Sequence, residues 1–486
     1  MFPYSSLIQI DKSSKIPVYR QIAIAIINAI TNGVLQSGTP LLSSRAMAET
    51  LGVHRKTVIA AYEELTAQEW ISTLPRKAVF VSHQIPQLKP QKWHTEQSLA
   101  AYSYDMSVPF KTVGAPRRQL EMPIPDLIID DGRPDIRISP LDDLLKTYRW
   151  LIAQKSYTQN RENNPPQGSQ RLRSALVAYL SESRGLQISA DNLLITHGAQ
   201  MSIYIASSLL LDSRSYAIVG KPNYPMANQV FKNFGAQILE VAVDSEGINT
   251  DEIETLCLKK KISVVYVIPH HHYPSTVTLS SERRLQLLEL SKRYSFAIIE
   301  DDYDYDYHYA SSPYLPLASA QHGGNIIYIG SFSKVLDPSI RIGFMIAPQN
   351  FIVQATLLRK TIDVSGDIYL QDALAILIKE GEIKRHLKRA KKIYHQRRDF
   401  LDRQIRLHLQ EYVTYKVPPG GMAIWVSLYS DLSILKLAQL ASTYHLQIND
   451  IDEEENAFRF GFASLSERDI QATVEILALC FAQMSR

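Results

Sequence analysis

The run NIIYIGSFSKVLDPSIRIGFMIAP, residues 325–348, sets two apolar segments around a turn that carries Ser331, Ser333, Lys334 and Arg341. Ile326–Ile329 has the length and β-branched content of a buried strand. A strand ending in hydroxyls, a lysine and an arginine has two readings. It is a surface loop with ordinary charge, or the edge of a sheet that presents a chemical group. The rest of the chain decides. LLITH (193–197) precedes GAQMSIYIASSLLL, and YAIVG (216–220) precedes PNYPMANQVFKNFG. ISVVYVIP (262–269) leads through a turn into SERRLQLLELSKRY, and FAIIE (296–300) stops just before Asp301. Apolar strands alternating with helices argue a mostly parallel sheet with helices on both faces. Ligands of such sheets collect beyond the carboxyl ends of the strands. That rule gathers 196–200, 222–224, 269–275, 301–303 and 331–334 at one edge.

The chemistry of that edge is narrowed by exclusion. HGAQ lacks the GxGxxG of a dinucleotide site, and no GxxxxGK[ST] occurs. No spaced cysteine–histidine set points to zinc. The run His270, His271, His272 alternates faces in an extended segment, so three rings do not readily share one ion, and no metal is expected. A lysine, an aspartate, a tyrosine, hydroxyls and arginines at one edge match the needs of pyridoxal 5′-phosphate. Its aldehyde takes a lysine amine, its ring nitrogen an acid partner, and its phosphate N–H groups, hydroxyls and an arginine. Its ring rests against an aromatic face.

The chain has 486 residues, more than one core usually holds, so two or three domains are expected. A net charge of +3 does not announce nucleic acid for the whole molecule, so any DNA-binding part is local. Two distant cysteines, Cys257 and Cys480, fit a reducing compartment. The start, MFPYSSLIQIDKSSK, does not read as a signal peptide, and no apolar stretch is long enough to span a membrane. A cytoplasmic location is expected.

Residues 1–82 read as a unit. PVYRQIAIAIINAITN (17–32) places Ile22, Ile26, Ile27 and Ile30 at helical spacing. Ser43 or Ser44 caps a second helix that ends at Gly52. A third runs from about His54 to Gln68, with Val58, Tyr62 and Leu65 on one face. WISTLPRKAVFVS (70–82) supplies two short β-prone runs. This outline is a winged helix-turn-helix whose third helix enters the major groove of double-stranded DNA by its N-terminal end. His54, Arg55, Lys56 and Thr57 lie at that end, Arg45 is placed for a phosphate, and Arg76 and Lys77 sit at the wing tip. A small helical packing domain is the alternative. Residues 83–124, proline-rich, polar and without sustained period, read as a linker, and 125–486 as the large α/β unit.

LLSSRAMAETLGVHRKTVIAAYEELTAQEWI (41–71) resembles the DNA-binding domain of GntR-type bacterial regulators. That family usually has serine where His54 stands, glycine near Glu69 and a glycine-rich wing turn. The blocks at 163–185 (NNPPQGSQRLRSALVAYLSESRG), 193–200, 266–290, 298–309 (IIEDDYDYDYHY), 325–348 and 381–401 resemble the fold-type I aminotransferase domain of the MocR subfamily of those regulators. Together the similarity spans nearly the whole chain. It implies a large, mostly parallel sheet domain with a smaller α+β lobe. It implies that Lys334 forms the internal aldimine, Asp301 pairs with the pyridine nitrogen, Tyr303 bonds the ring oxygen and Tyr224 lies near the ring. Ala199, Gln200, Ser331, Ser333 and Arg341 would hold the phosphate, and Arg459 in AFRFGFA (457–463) an effector carboxylate. A shift of one residue would put Asp302 in place of Asp301, and an ion pair with the acidic loop 450–455 is the alternative role of Arg459.

The resemblance further implies a head-to-tail homodimer and a regulator that senses pyridoxal phosphate or an amino compound forming an external aldimine. A working aminotransferase with an accessory DNA-binding domain is one alternative, and a cofactor-free scaffold another. The chain departs from the family at His272 (usually glutamine), Thr276 (usually glycine), Lys221, Met226 and Ala423. If the family's glycine serves to allow positive φ, Thr276 is expected to distort that turn. Either the effector differs from that of relatives, or the chemistry with amines is weakened.

Overall fold

Ile22, Ile26 and Ile30 are fully buried along the helix Val18–Thr31, and Ile27 at its margin is half-buried. They pack with Met47 of the helix Ser44–Leu51 and with Val58, Tyr62 and Leu65 of the helix Arg55–Ala67. Ser43 caps the middle helix by accepting from the Ala46 amide, and Gly52 ends it in the left-handed region. The strands Ile71–Leu74 and Ala78–Val81 pair in antiparallel register, Ile71 opposite Val81. A two-residue strand, Pro40–Leu41, adds a third member to the sheet. Gln21 is buried because its amide bonds both the N–H and the C=O of Asp11, closing the N-terminal segment over the helix.

The computed structural model describes residues 3–74, 78–86, 89, 106, 108–111, 125–154, 165–309 and 314–485. The chain divides into two units, Met1–Thr112 and Val113–Arg486. The division falls within the expected linker 83–124, most of which lies outside the described residues. Arg76 and Lys77 also lie outside them.

The second unit is built on an eight-stranded sheet. In spatial order its strands are Leu193–Thr196, Gly343–Ile346, Ile326–Ser331, Ala297–Asp302, Ile262–Val267, Tyr216–Lys221, Gln237–Asp244 and Gly247–Ile248. The run from Ile326–Ser331 to Gln237–Asp244 is parallel throughout. Gly343–Ile346 runs against both neighbours, and Gly247–Ile248 against its one. Buried apolar side chains fill both faces, as a helix-covered sheet requires.

The smaller lobe carries an antiparallel sheet of Val413–Tyr415, Ala423–Leu428, Ala457–Gly461 and Ile451–Asp452, with the helices Ile434–Thr443 and Glu467–Met484 packed on it. Leu127–Ile129 pairs in parallel with Leu446–Ile448. This pairing, between segments more than three hundred residues apart, delivers Asp130, Asp131 and Gly132 to the edge of the large sheet. Among the described residues no helix is long and apolar enough to cross a membrane.

Candidate functional site

Strand ends make the site. Ala297–Asp302 and Ile326–Ser331 are neighbours, with Asp301 opposite Ile329. Beyond Ser331 the chain turns: the Phe332 amide donates to the Ile342 carbonyl and the Val335 amide to the Phe332 carbonyl. Tyr307 donates its hydroxyl to the carbonyl of Lys334 at 2.9 Å, fixing the backbone from which the lysine projects. One cavity is lined by Lys334, Asp301, Tyr303, Tyr224, Ala199, Gln200, Ser331, Ser333 and Arg341, the full set expected from the sequence for the cofactor. Asp131, Ile268 and Tyr273 complete the lining; Tyr273 lies in the segment 269–275 expected at this edge, but none of the three was singled out from the sequence.

The Lys334 ammonium donates to Asp131 Oδ2 at 3.1 Å and to the Gly132 carbonyl at 2.8 Å. Burial works to raise Asp131, but Lys334, together with the charges of Arg459 and Arg133, holds that carboxyl below its ordinary range. Asp301 is 3 % exposed. Its Oδ2 accepts from the Tyr266 hydroxyl at 2.8 Å, while its Oδ1 is buried without a partner. Burial lifts its pKa to about 7 against the Tyr266 hydrogen bond. Asp302 faces the other way, bonded to His270 and to the Tyr328 hydroxyl, so the register of the sheet puts Asp301 rather than Asp302 in the cavity.

At the other end of the cavity the helix Ala199–Leu210 begins at Gly198 with no side-chain cap, leaving its first N–H groups for an anion. Arg341 closes that end. It sits at φ +53° and donates Nη2 to the His197 carbonyl at 3.0 Å. A Cβ on Gly198 would lie 2.6 Å from Arg341 Nη2, and one on Gly343 would meet the Gly198 backbone at 2.6 Å. Both glycines are therefore needed for close approach. Ser331 donates to Ser333 Oγ at 3.0 Å, and Gln200 keeps a buried, unpartnered Oε1. Tyr224 packs edge-on against Tyr273, 5.3 Å between centroids.

Arg459 stands behind the wall. It is fully buried and does not line the cavity. It donates to the carbonyls of Asp131 and Pro274 and to the Tyr303 hydroxyl at 2.8–3.0 Å. Among the described residues its guanidinium forms no ion pair, and towards loop 450–455 its backbone N–H donates to the Asp450 carbonyl. Tyr303 meanwhile donates its hydroxyl to the His271 carbonyl at 2.9 Å. The three histidines have separate partners: His270 with Asp302, His271 with Asp304, His272 with Ser275. Burial depresses His272 to about 3, which keeps it neutral. Thr276 takes φ +62°, the region a glycine would favour, and its amide donates to the His272 carbonyl at 2.6 Å. The chain carries the strain of a β-branched residue in the left-handed region. Lys221 pairs with Glu454 at 2.8 Å, Met226 is exposed, and Ala423 is buried in its strand.

In the first unit, Arg55, Lys56 and Thr57 occupy the first turn of the helix Arg55–Ala67, with Arg55 and Lys56 exposed. His54 has a structural task as well. Its Nδ1 accepts from the Lys56 amide at 3.2 Å and caps the helix, which a serine hydroxyl also does. Arg45 is exposed and pairs with Glu49 at 3.3 Å, and Arg55 donates to Ser44 Oγ. Glu69, just past the helix end, adopts φ +63°.

Residues 18–81 match the bacterial regulatory proteins of the gntR family, and residues 143–477 match aminotransferase class I and II. The chain is 27 % identical over 486 residues to the uncharacterized HTH-type transcriptional regulator YdfD of Bacillus subtilis, covering 98 % of each. It is 27 % identical over 435 residues to the probable rhizopine catabolism regulatory protein MocR of Rhizobium meliloti, covering 86 % of this chain and 83 % of that one. In structure it resembles the Pyrococcus horikoshii kynurenine aminotransferase, with a TM-score of 0.68 and 24 % identity over 74 % of this chain and 91 % of that one. The chain thus belongs to the class I and II aminotransferases and, carrying a gntR-family domain ahead of that fold, to the MocR subfamily of regulators.

Proposed function

We propose that this chain is a DNA-binding transcriptional regulator whose aminotransferase-like domain holds pyridoxal 5′-phosphate at Lys334. It responds to that cofactor or to an amino compound. The observation that carries the reading is the convergence of all nine expected residues around one cavity. Their chemistry fits the group. Asp301 Oδ1, buried and unpartnered, matches the N–H of a protonated ring nitrogen. The open N-terminus of the helix Ala199–Leu210, with Ser331, Ser333 and Arg341, matches a phosphate. Tyr224 offers a ring face.

When bound, the cofactor supplies an aldehyde that combines reversibly with primary amines. Lys334 is the resident amine, and Asp131 with the Gly132 carbonyl orients it. Asp301 holds the proton of the ring nitrogen. Tyr303, braced by Arg459, positions the wall beside Lys334. Arg55 and Lys56 reach DNA phosphates or base edges from the start of their helix, with Thr57 beside them and Arg45 on the backbone. We propose that the regulator works in the cytoplasm as a head-to-tail homodimer, which pairs two DNA readers. The names of the regulators matched over nearly the whole chain support this role.

An absorption spectrum of the purified protein beside Lys334→Ala tests the reading. A cofactor band in the native protein that is lost or displaced in the variant supports it. No band after added pyridoxal phosphate sinks it. Release of many keto acid molecules per chain when an amino donor and a keto-acid acceptor are supplied together would make the chain a working aminotransferase instead.

A further inference from the structure

Two acceptors on a pinned segment hold the Lys334 ammonium: Asp131 Oδ2 at 3.1 Å and the Gly132 carbonyl at 2.8 Å. The segment is fixed from several sides. Asp130 Oδ1 accepts from the amides of Gly132 and Arg133 at 2.8 and 2.9 Å. The Asp130 carbonyl accepts from the Gly461 amide at 2.9 Å, and the Asp131 carbonyl from Arg459 Nε at 2.8 Å. Gly132 takes φ +94°, and a Cβ on it would lie 3.0 Å from the Met422 Cβ and 3.1 Å from the Met422 carbonyl oxygen. The turn before Ala423–Leu428 thus closes behind it. Opposite, Tyr307 fixes the Lys334 carbonyl. Arg459 and Arg133 favour the charged form of Asp131 alongside the lysine. The acceptor pair is therefore built in, ready to hold a lysine cation.

The two states of Lys334 differ in what they offer this pair. A free lysine ammonium has three N–H donors and a full charge. Once combined with the cofactor aldehyde, the nitrogen keeps one N–H at most, and that one faces the oxygen on the cofactor ring. It cannot serve Asp131 and Gly132 together. A charge-assisted bond to a carboxylate and a second bond to a carbonyl therefore favour the free lysine. The exchange with a ligand amine balances. The C=N bond to Lys334 breaks as the C=N bond to the ligand forms. Two protons of the ligand ammonium pass to the lysine nitrogen, which leaves as an ammonium.

We infer that Asp131, with the Gly132 carbonyl, is the receiving site for the lysine that a ligand amine displaces, and that it sets how readily the cavity responds to amines. Asp131 acts through Lys334, as a positioning residue. The inference rests on the function proposed above and adds how that site is tuned.

The test is a pair of equilibria measured on the full chain as native protein, Asp131→Asn and Asp131→Glu. One is uptake of pyridoxal phosphate by cofactor-free protein. The other is displacement of the cofactor band by glycine and by methylamine. Asp131→Asn should hold pyridoxal phosphate more tightly than native. It should need about tenfold more of either amine for half displacement, the worth of a charge-assisted bond. Asp131→Glu should recover part of the amine response. A damaged cavity would weaken both equilibria, so shifts in opposite directions mark a receiving site for the lysine. In a Lys334→Ala background, where no lysine is displaced, both shifts should fall to within about twofold. Four results overturn the inference and leave the cofactor reading standing. They are weakening of both equilibria, an unchanged amine response, shifts of the same size without Lys334, and a loaded native protein that neither amine displaces. A native protein that takes up no pyridoxal phosphate overturns both.

Discussion

Asp301→Asn turns the burial of one carboxylate into a measurable dependence of stability on pH. In the cofactor-free chain Asp301 protonates at about 7, against an ordinary 3.8, because burial disfavours its charge more than the Tyr266 hydroxyl favours it. Between those values the folded state binds a proton that the unfolded chain has lost. The stability from this group is therefore fully present below pH 3.8 and falls as pH rises toward 7, by about 1.4 kcal/mol per pH unit. The whole effect is about 4 kcal/mol, more than half of which falls between pH 5 and pH 8. Asparagine cannot ionise, and its carbonyl still accepts from Tyr266. Glu300, raised to about 8 by burial, pulls in the same direction but is present in both proteins. The assay is urea denaturation of cofactor-free native protein and variant at pH 5 and pH 8, following the transition of the large unit. Relative to native, the variant should gain about 2–3 kcal/mol at pH 8 over its standing at pH 5. A difference that stays within about 0.5 kcal/mol across that range would refute the buried, half-satisfied carboxylate and with it the ring-nitrogen partner.

Other substitutions probe the frame around the two sites. Glu69→Gly, at an exposed φ of +63°, should stabilise the DNA-binding unit by about 0.5–1 kcal/mol, read as a higher midpoint of its unfolding; a loss would contradict the helix-end geometry. Lys56→Ala should weaken binding to any DNA that selection from a random pool recovers, and lower the slope of log affinity against log salt by about 1. An unchanged slope would remove Lys56 from the interface. Arg359→Met should cost about 3–5 kcal/mol, since the buried guanidinium bonds Asp363 and the carbonyls of Pro166 and Ile195 just ahead of the Gly198 turn. A variant as stable as native would show that those groups find other partners.

The sheet and its edge were legible because both are local signals. Ile326–Ile329 and Ala297–Ile299 announce buried strands by composition, and the residues that follow announce chemistry by type. Strand ends in a parallel sheet share an edge, so Asp301, Tyr224 and Lys334 could be brought together from positions far apart in sequence. Asp131 was missed because it reaches the cavity through the pairing of Leu127–Ile129 with Leu446–Ile448, a long-range register that no local period encodes. The stretch DDGRPD at 130–135, two aspartates and a glycine after an apolar triplet, was the signal available. Tyr273 was hidden by the histidine run beside it. The strand of Arg459 was legible, but the three oxygens that its guanidinium meets were not, because they come from segments far away in sequence. The positive φ of Thr276 was not legible, because the hydrogen bond to His272 that accompanies it is a property of the folded turn.

Borohydride reduction of the native protein, followed by proteolysis and mass analysis, tests the central claim most directly, because it reports which nitrogen carries the cofactor. The account predicts a phosphopyridoxyl group on the peptide containing Lys334, and its absence from Lys334→Ala. Label on another lysine, or no label on a protein supplied with pyridoxal phosphate, would contradict it.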